Sequence, residues 1–200
     1  MPMDQSEIQW DKLLHIKTTG RDDSHSDQYR YPYEPTPYCV LERLAGSGCI
    51  GKKNKLLDYG TGKGRVCFYL SYQCRCRSIG IEYDEHLYDR TKSNQETAVA
   101  GVRTDFVMEN AERYAVPTDV DRCYFFNPFS VEILKTVLAK ITDSYYENPR
   151  ELQLLFYYPS DEYVAYLMTR DNMMFVDEID CGDLFPDNDP REKILIFEVF

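Results

Sequence analysis

The chain has 200 residues, 43% of them hydrophobic and 28% charged, the composition of an ordinary globular protein with room for one domain. Its 23 Lys plus Arg stand against 34 Asp plus Glu, a net charge of −11, so the overall field repels a phosphate backbone and a duplex-gripping role is disfavoured. No apolar run approaches the roughly 18 residues that span a bilayer, and Met1 to Asp11 is too polar and acidic for a signal or transit peptide.

In chain order, residues 1–35 read as an N-terminal extension or lid and residues 36–200 as the main domain. Ser6 to Ile16 is a short amphipathic helix with Ile8, Leu13, Leu14 and Ile16 as its apolar members, and Thr18 to Gln28 is a polar, acidic loop. Tyr31-Pro32-Tyr33-Glu34-Pro35-Thr36-Pro37 is stiff and aromatic. Thr36 is placed to cap a helix that begins at Pro37, carries Val40, Leu41 and Leu44 on one face, and stops near Gly46.

Beyond Lys55 short apolar runs alternate with helical periods. Leu56 to Tyr59 is a strand and Arg65 to Tyr72 a helix. Ser78 to Glu82 is the next strand, followed by a polar helix from Glu85 to about Thr97. Phe106 to Met108 and Cys123 to Phe126 are strands. Val131, Leu134, Val137, Leu138 and Ile141 then recur at helical spacing. Leu152 to Tyr158 is a strand, and Ser160 caps a helix to about Thr169. This alternation predicts a parallel sheet covered on both faces. Met173 to Asp180 and Lys193 to Phe200 are separated only by a Gly/Pro/Asp-rich stretch, too short for an ordinary crossover helix, and should pair antiparallel.

Chemistry concentrates at the carboxyl ends of the first four strands. In Asp58-Tyr59-Gly60-Thr61-Gly62-Lys63-Gly64-Arg65 three alternate glycines let the chain turn tightly and bring bare backbone against a ligand. The helix that follows offers its positive end to an anion. An ordinary strand-to-helix turn is the alternative. Glu82, roughly 20 residues on, stands where a carboxylate reaches the two hydroxyls of a ribose, or is a solvated acid. In Glu109-Asn110-Ala111 the amide and the neighbouring N–H suit an adenine edge, or Asn110 is a plain loop residue. Asn127-Pro128-Phe129 sits beside the crevice where open α/β sheets bind ligands. Asn127 with a backbone carbonyl would orient a substrate amino group and Phe129 would pack on it; the other reading makes Asn127 a helix cap and Phe129 core.

Taken in order, Asp58-Tyr-Gly60-Thr-Gly62-Lys-Gly64, Ile81-Glu82-Tyr83, Asn110-Ala111-Glu112 and Phe126-Asn127-Pro128-Phe129 resemble the successive motifs of the class I, Rossmann-like, S-adenosylmethionine-dependent methyltransferases. The resemblance covers Leu56 to Phe200. It implies a doubly wound seven-stranded sheet, mostly parallel, with one reversed strand near its edge in a C-terminal antiparallel hairpin. It also implies S-adenosyl-L-methionine as cofactor, held by Asp58, Gly60, Gly62, Glu82 and Asn110, with Thr61, Gly64, Tyr83 and Ala111 beside them. Asn127, Pro128 and Phe129 are the implied catalytic residues, with one proline where nucleic-acid and glutamine amino-methyltransferases carry two. Tyr33-Glu34-Pro35-Thr36-Pro37 looks like the segment that covers the cofactor in some lysine methyltransferases of the class.

Methyl transfer from a sulfonium asks the protein to align a nucleophile and exclude water, so the lack of an obvious catalytic dyad is consistent. His15, His25 and His86 belong to no metal-spaced set, and Cys74-x-Cys76 has the wrong gap for a zinc or redox motif. The seven cysteines, an odd number, read as reduced thiols of a cytoplasmic protein. Among the 17 tyrosines, Tyr31, Tyr33, Tyr59 and Tyr83 lie near the proposed cofactor edge, although packing explains most of the rest. The leading expectation is transfer to a nitrogen of a protein or small molecule. An RNA or oxygen acceptor, a nicotinamide-dependent oxidoreductase and a non-catalytic Rossmann-like module are the alternatives.

Overall fold

A computed structural model describes residues 5–21, 33–187 and 189–200. Tyr31, Pro32 and His25, and the loop reading beyond position 21, lie outside the described residues.

Seven strands form one sheet: β1 (Lys55–Tyr59), β2 (Arg77–Glu82), β3 (Thr104–Met108), β4 (Arg122–Phe125), β5 (Gln153–Tyr157), β6 (Met173–Asp180) and β7 (Lys193–Val199). Their order is β3-β2-β1-β4-β5-β7-β6. Pairing is parallel from β3 to β5, while β7 runs antiparallel to both β5 and β6. Among its described residues the link between β6 and β7 holds only a single 3₁₀ turn, Gly182–Leu184, and the two strands pair antiparallel, as their spacing predicts. Inner strands β1, β4 and β5 bury nearly every residue, the signature of a sheet covered on both faces.

The helices are α1 (Gln5–Leu14), α2 (Tyr38–Gly46), α3 (Arg65–Gln73), α4 (Glu85–Thr97), α5 (Val131–Glu147) and α6 (Asp161–Leu167). Leu14, Tyr38, Leu41, Phe68 and Leu70 build one core between the sheet and α1 to α3. Leu134, Val137, Leu138, Ile141 and Tyr163 build the other under α5 and α6. Ser160 caps α6 by accepting the Tyr163 N–H, as expected from sequence. The crossover from β3 to β4, residues 109–121, contains no helix.

Two local readings change. Thr36 does not cap α2; the helix starts at Tyr38, and the Thr36 hydroxyl instead meets the phenol of Tyr124 at 3.0 Å, a buried O–H that needs a partner. In α1, Ile8 and Leu13 are each 50% exposed. The face turned inward carries Glu7, Asp11 and Leu14, because it meets the charged Arg65 of α3, which apolar periodicity cannot reveal.

Candidate active site

The chain winds from β1 to β2 and β3 on one side and returns to β4 on the other, so the crevice beyond β1 and β4 is a topological switch point, where such sheets bind ligands. A cavity of about 460 Å³ lies there, well within the range of small-molecule sites. The glycine turn, Glu82, Asn110 and Ala111, and Asn127 to Phe129 all line it, joined by Tyr33 to Thr36 from ahead of α2.

Gly60, Gly62 and Gly64 have φ of 71°, 56° and 86°, in the left-handed region that favours glycine. Space also demands all three: a Cβ on Gly60 would lie 2.6 Å from Cβ of Pro128, one on Gly62 2.1 Å from the Tyr33 ring, and one on Gly64 2.6 Å from the Phe68 ring. The turn's own N–H groups are largely spent. Gly60 and Thr61 donate to the Ile81 carbonyl at 3.0 Å, Gly62 to Glu82 Oε2 at 2.8 Å, and Gly64 to the Thr61 carbonyl at 2.8 Å. These four amides therefore do not stand open for a ligand anion.

Asp58 and Glu82 are both buried at neighbouring strand tips. Asp58 Oδ2 accepts from the Thr61 hydroxyl at 2.7 Å and from the Cys67 thiol at 3.8 Å. Burial nevertheless pushes its carboxyl from 3.8 up to about 7, with the nearby Glu82 charge adding to the rise. Glu82 Oε1 accepts the N–H of Tyr83 and of Asp84, and Oε2 that of Gly62, yet burial raises it from 4.5 to about 7. Three of a carboxylate's roughly four acceptor positions are thus filled, leaving one for a ligand hydroxyl where two were expected from sequence. Neither acid has a cationic partner among the described residues. Two buried carboxyls whose pKa values burial raises toward neutrality, in one cleft, mark a candidate functional site.

Tyr83 is 56% exposed at the cavity edge. Asn110 closes a small turn by accepting the Glu112 N–H at 2.9 Å, which holds Ala111 at the cavity wall. Asn127 has φ 40°, and both ends of its amide are engaged: Nδ2 donates to the Tyr158 carbonyl at 2.6 Å, and Oδ1 accepts the Ser160 N–H at 3.1 Å. It is no helix cap, since Ser130 holds that position at α5. Phe129 is buried, edge-on to Tyr59 and Phe125, while lining the same cavity.

Sequence reasoning passed over Arg65. It is 2% exposed and lines the cavity from the first position of α3. Its Nε donates to the Thr18 hydroxyl at 2.7 Å, and Nη1 to Glu7 and to the Thr36 carbonyl. The guanidinium lies 4.2 Å from the Tyr38 ring centroid. Its Nη2 is buried without a hydrogen bond. In this way the N-terminal segment and the glycine turn share one buried charged network.

No protein-family model matches the sequence, and no curated protein is significantly similar to it. Solved structures are similar in fold. An RNA methyltransferase from Salinibacter ruber in complex with S-adenosyl-L-homocysteine aligns over 83% of this chain and 94% of its own, at 15% identity and a TM-score of 0.54. A TehB-like SAM-dependent methyltransferase from Corynebacterium glutamicum aligns over 97% and 95%, at 17% identity and a TM-score of 0.59. The mitomycin 7-O-methyltransferase MmcR aligns over 80% of this chain and 53% of its own, at 11% identity and a TM-score of 0.63. With its parallel strands, its one reversed strand and its switch-point cavity, this chain has the fold of the class I, Rossmann-like S-adenosylmethionine-dependent methyltransferases.

Proposed function

We propose that the protein is an S-adenosylmethionine-dependent methyltransferase acting on a nitrogen of a protein or small molecule. The carrying observation is convergence: a glycine-lined bend, two buried acids on adjacent strand tips, and the Asn127-Pro128-Phe129 segment all face one cavity of about 460 Å³. The residues fit the cofactor. Asp58 and Glu82 are carboxylates for its ammonium group and a ribose hydroxyl, and the Asn110–Ala111 turn is placed for the adenine edge.

When bound, S-adenosylmethionine supplies an already activated methyl group. The chain's own part is to bind, orient and exclude water. Tyr33 lies over Gly62 and closes one wall, its hydroxyl donating to the Thr18 carbonyl at 2.7 Å. In this reading the segment Tyr33 to Thr36 belongs to the cofactor site and serves as its cover. Asn127 ties the tips of β4 and β5 together, and so fixes the backbone against which the acceptor must sit.

A nitrogen acceptor is favoured by charge. The exposed charged residues on the cavity wall, Glu34, Glu85 and Glu109, are all acidic, and the chain carries −11 overall. Such a field draws an amine and repels a polyanion.

Two measurements test the proposal. Titration calorimetry with S-adenosylhomocysteine and with NADH should give binding of the first alone. A labelled-methyl assay on fractionated lysate should then place the label in protein or metabolite. Binding of NADH in place of S-adenosylhomocysteine would overturn the cofactor, and label found only in RNA would overturn the acceptor.

A further inference from the structure

We infer that Arg65 binds the carboxylate of the cofactor's amino-acid end through Nη2. The inference rests on the cofactor reading above and assigns the acceptor of that one donor.

Any S-adenosyl amino acid carries a carboxylate that needs hydrogen-bond donors once it leaves water. The glycine turn cannot supply them at Gly60, Thr61, Gly62 or Gly64, whose N–H groups already donate within the protein. Arg65 is the only cation among the described residues that line the cavity. It is also 2% exposed, and a buried guanidinium N–H left unpaired is costly.

A purely structural role does not account for Nη2. The clamp between α1 and α3 uses Nε, Nη1 and the face of Tyr38. Asp11 lies 4.0 Å from Nη2, beyond hydrogen-bond range. Its oxygens are already committed: Oδ1 accepts from the hydroxyls of Thr18 and Tyr38, and Oδ2 from the N–H groups of Thr18 and Thr19. With all four positions filled, Asp11 faces the guanidinium without taking its last donor. A carboxylate entering from the cavity would complete the fork.

The test compares S-adenosylhomocysteine with its decarboxylated analogue, 5′-(3-aminopropylthio)adenosine, which keeps the ammonium group and lacks the carboxylate. By calorimetry the wild-type protein should prefer S-adenosylhomocysteine by about tenfold or more, the worth of a charge-assisted hydrogen bond. Arg65→Met should erase that preference and leave the affinity for the analogue within about twofold, a change too small to count as a lost contact. Equal losses for both ligands would show a structural clamp only and overturn the assignment. Equal wild-type affinities would overturn it without any variant, so a misfolded Arg65→Met does not shield it. If the wild-type protein bound neither ligand, the cofactor reading itself would fall, which is a separate outcome.

Discussion

The Gly62 amide donates to Glu82 Oε2 at 2.8 Å, joining the turn after β1 to the tip of β2. Glu82 therefore shapes the glycine turn as well as presenting an acceptor to the cavity. Its other oxygen takes the Tyr83 and Asp84 N–H groups, so one side chain organises two loops. The Asp58 carboxylate, on the neighbouring strand, accepts only from the Thr61 hydroxyl and the Cys67 thiol among the described residues.

Glu82→Ala should accordingly have two effects. Removing the carboxylate strands three backbone donors, so urea denaturation should show a loss of at least about 1–3 kcal/mol. Affinity for S-adenosylhomocysteine should fall at least about tenfold, or 1.4 kcal/mol. Asp58→Ala should match the affinity loss with little effect on the turn. Unchanged affinity in both variants would mean that the ligand sits elsewhere.

The pH dependence of stability follows from the same two acids. Both carboxyls titrate near 7 in the folded protein, against ordinary values of 3.8 and 4.5. Between those limits the folded state holds protons that the unfolded chain has released, so its stability falls as pH rises. The contribution is fully present below about 4 and is lost as pH climbs through about 7. The melting temperature without ligand should drop between about pH 5 and pH 7 and level off above that, and Asp58→Asn should flatten the drop. An Asp58→Asn profile parallel to the wild type would show that this carboxyl is not the group responsible.

How much of this was legible in the sequence depends on how locally it is encoded. The helix Glu85–Thr97 and the strand Met173–Asp180 fall where their patterns place them, because hydrophobic period and caps are short-range signals. The glycine turn and Glu82 were visible for the same reason. Arg65 was not. Its partners Glu7, Thr18 and Thr36 lie 58, 47 and 29 positions away; the first two look like surface residues of a polar extension and the third like a helix cap. The inward face of α1 was missed because it is charged. The commitment of the turn amides to Ile81 and Glu82 was equally hidden, since a strand pairing decides it.

Gly62 and Tyr33 should be energetically coupled. A Cβ at position 62 would fall 2.1 Å from the Tyr33 ring, in a backbone with φ 56°. Gly62→Ala should destabilise the protein by more than about 1 kcal/mol, through conformational strain together with displacement of the ring. In a Tyr33→Ala background the ring is gone and only the strain remains, so the same substitution should cost less. A coupling of about 0.5–3 kcal/mol is expected for residues in contact. Strict additivity in urea denaturation would mean that Tyr33 does not rest on the turn.

Asn127 allows the two parts of its role to be separated. Its φ of 40° favours Gly or Asn, and its amide links the Tyr158 carbonyl to the Ser160 N–H. Tyr158 itself has φ 48°, so two strained residues face each other across the ends of β4 and β5. Asn127→Gly keeps the backbone conformation and removes the link; Asn127→Ala removes the link and adds strain. Both should bind S-adenosylhomocysteine within about twofold of wild type, because the ligand's contacts are assigned to the tips of β1, β2 and β3, to Arg65 and to the Tyr33–Thr36 segment, and not to Asn127. Methyl transfer should fall about tenfold or more in both, the expected effect of letting the acceptor's support drift. If the Gly variant transfers at the wild-type rate while the Ala variant does not, the side chain contributes only its tolerance of a left-handed backbone, and the acceptor is held by other groups.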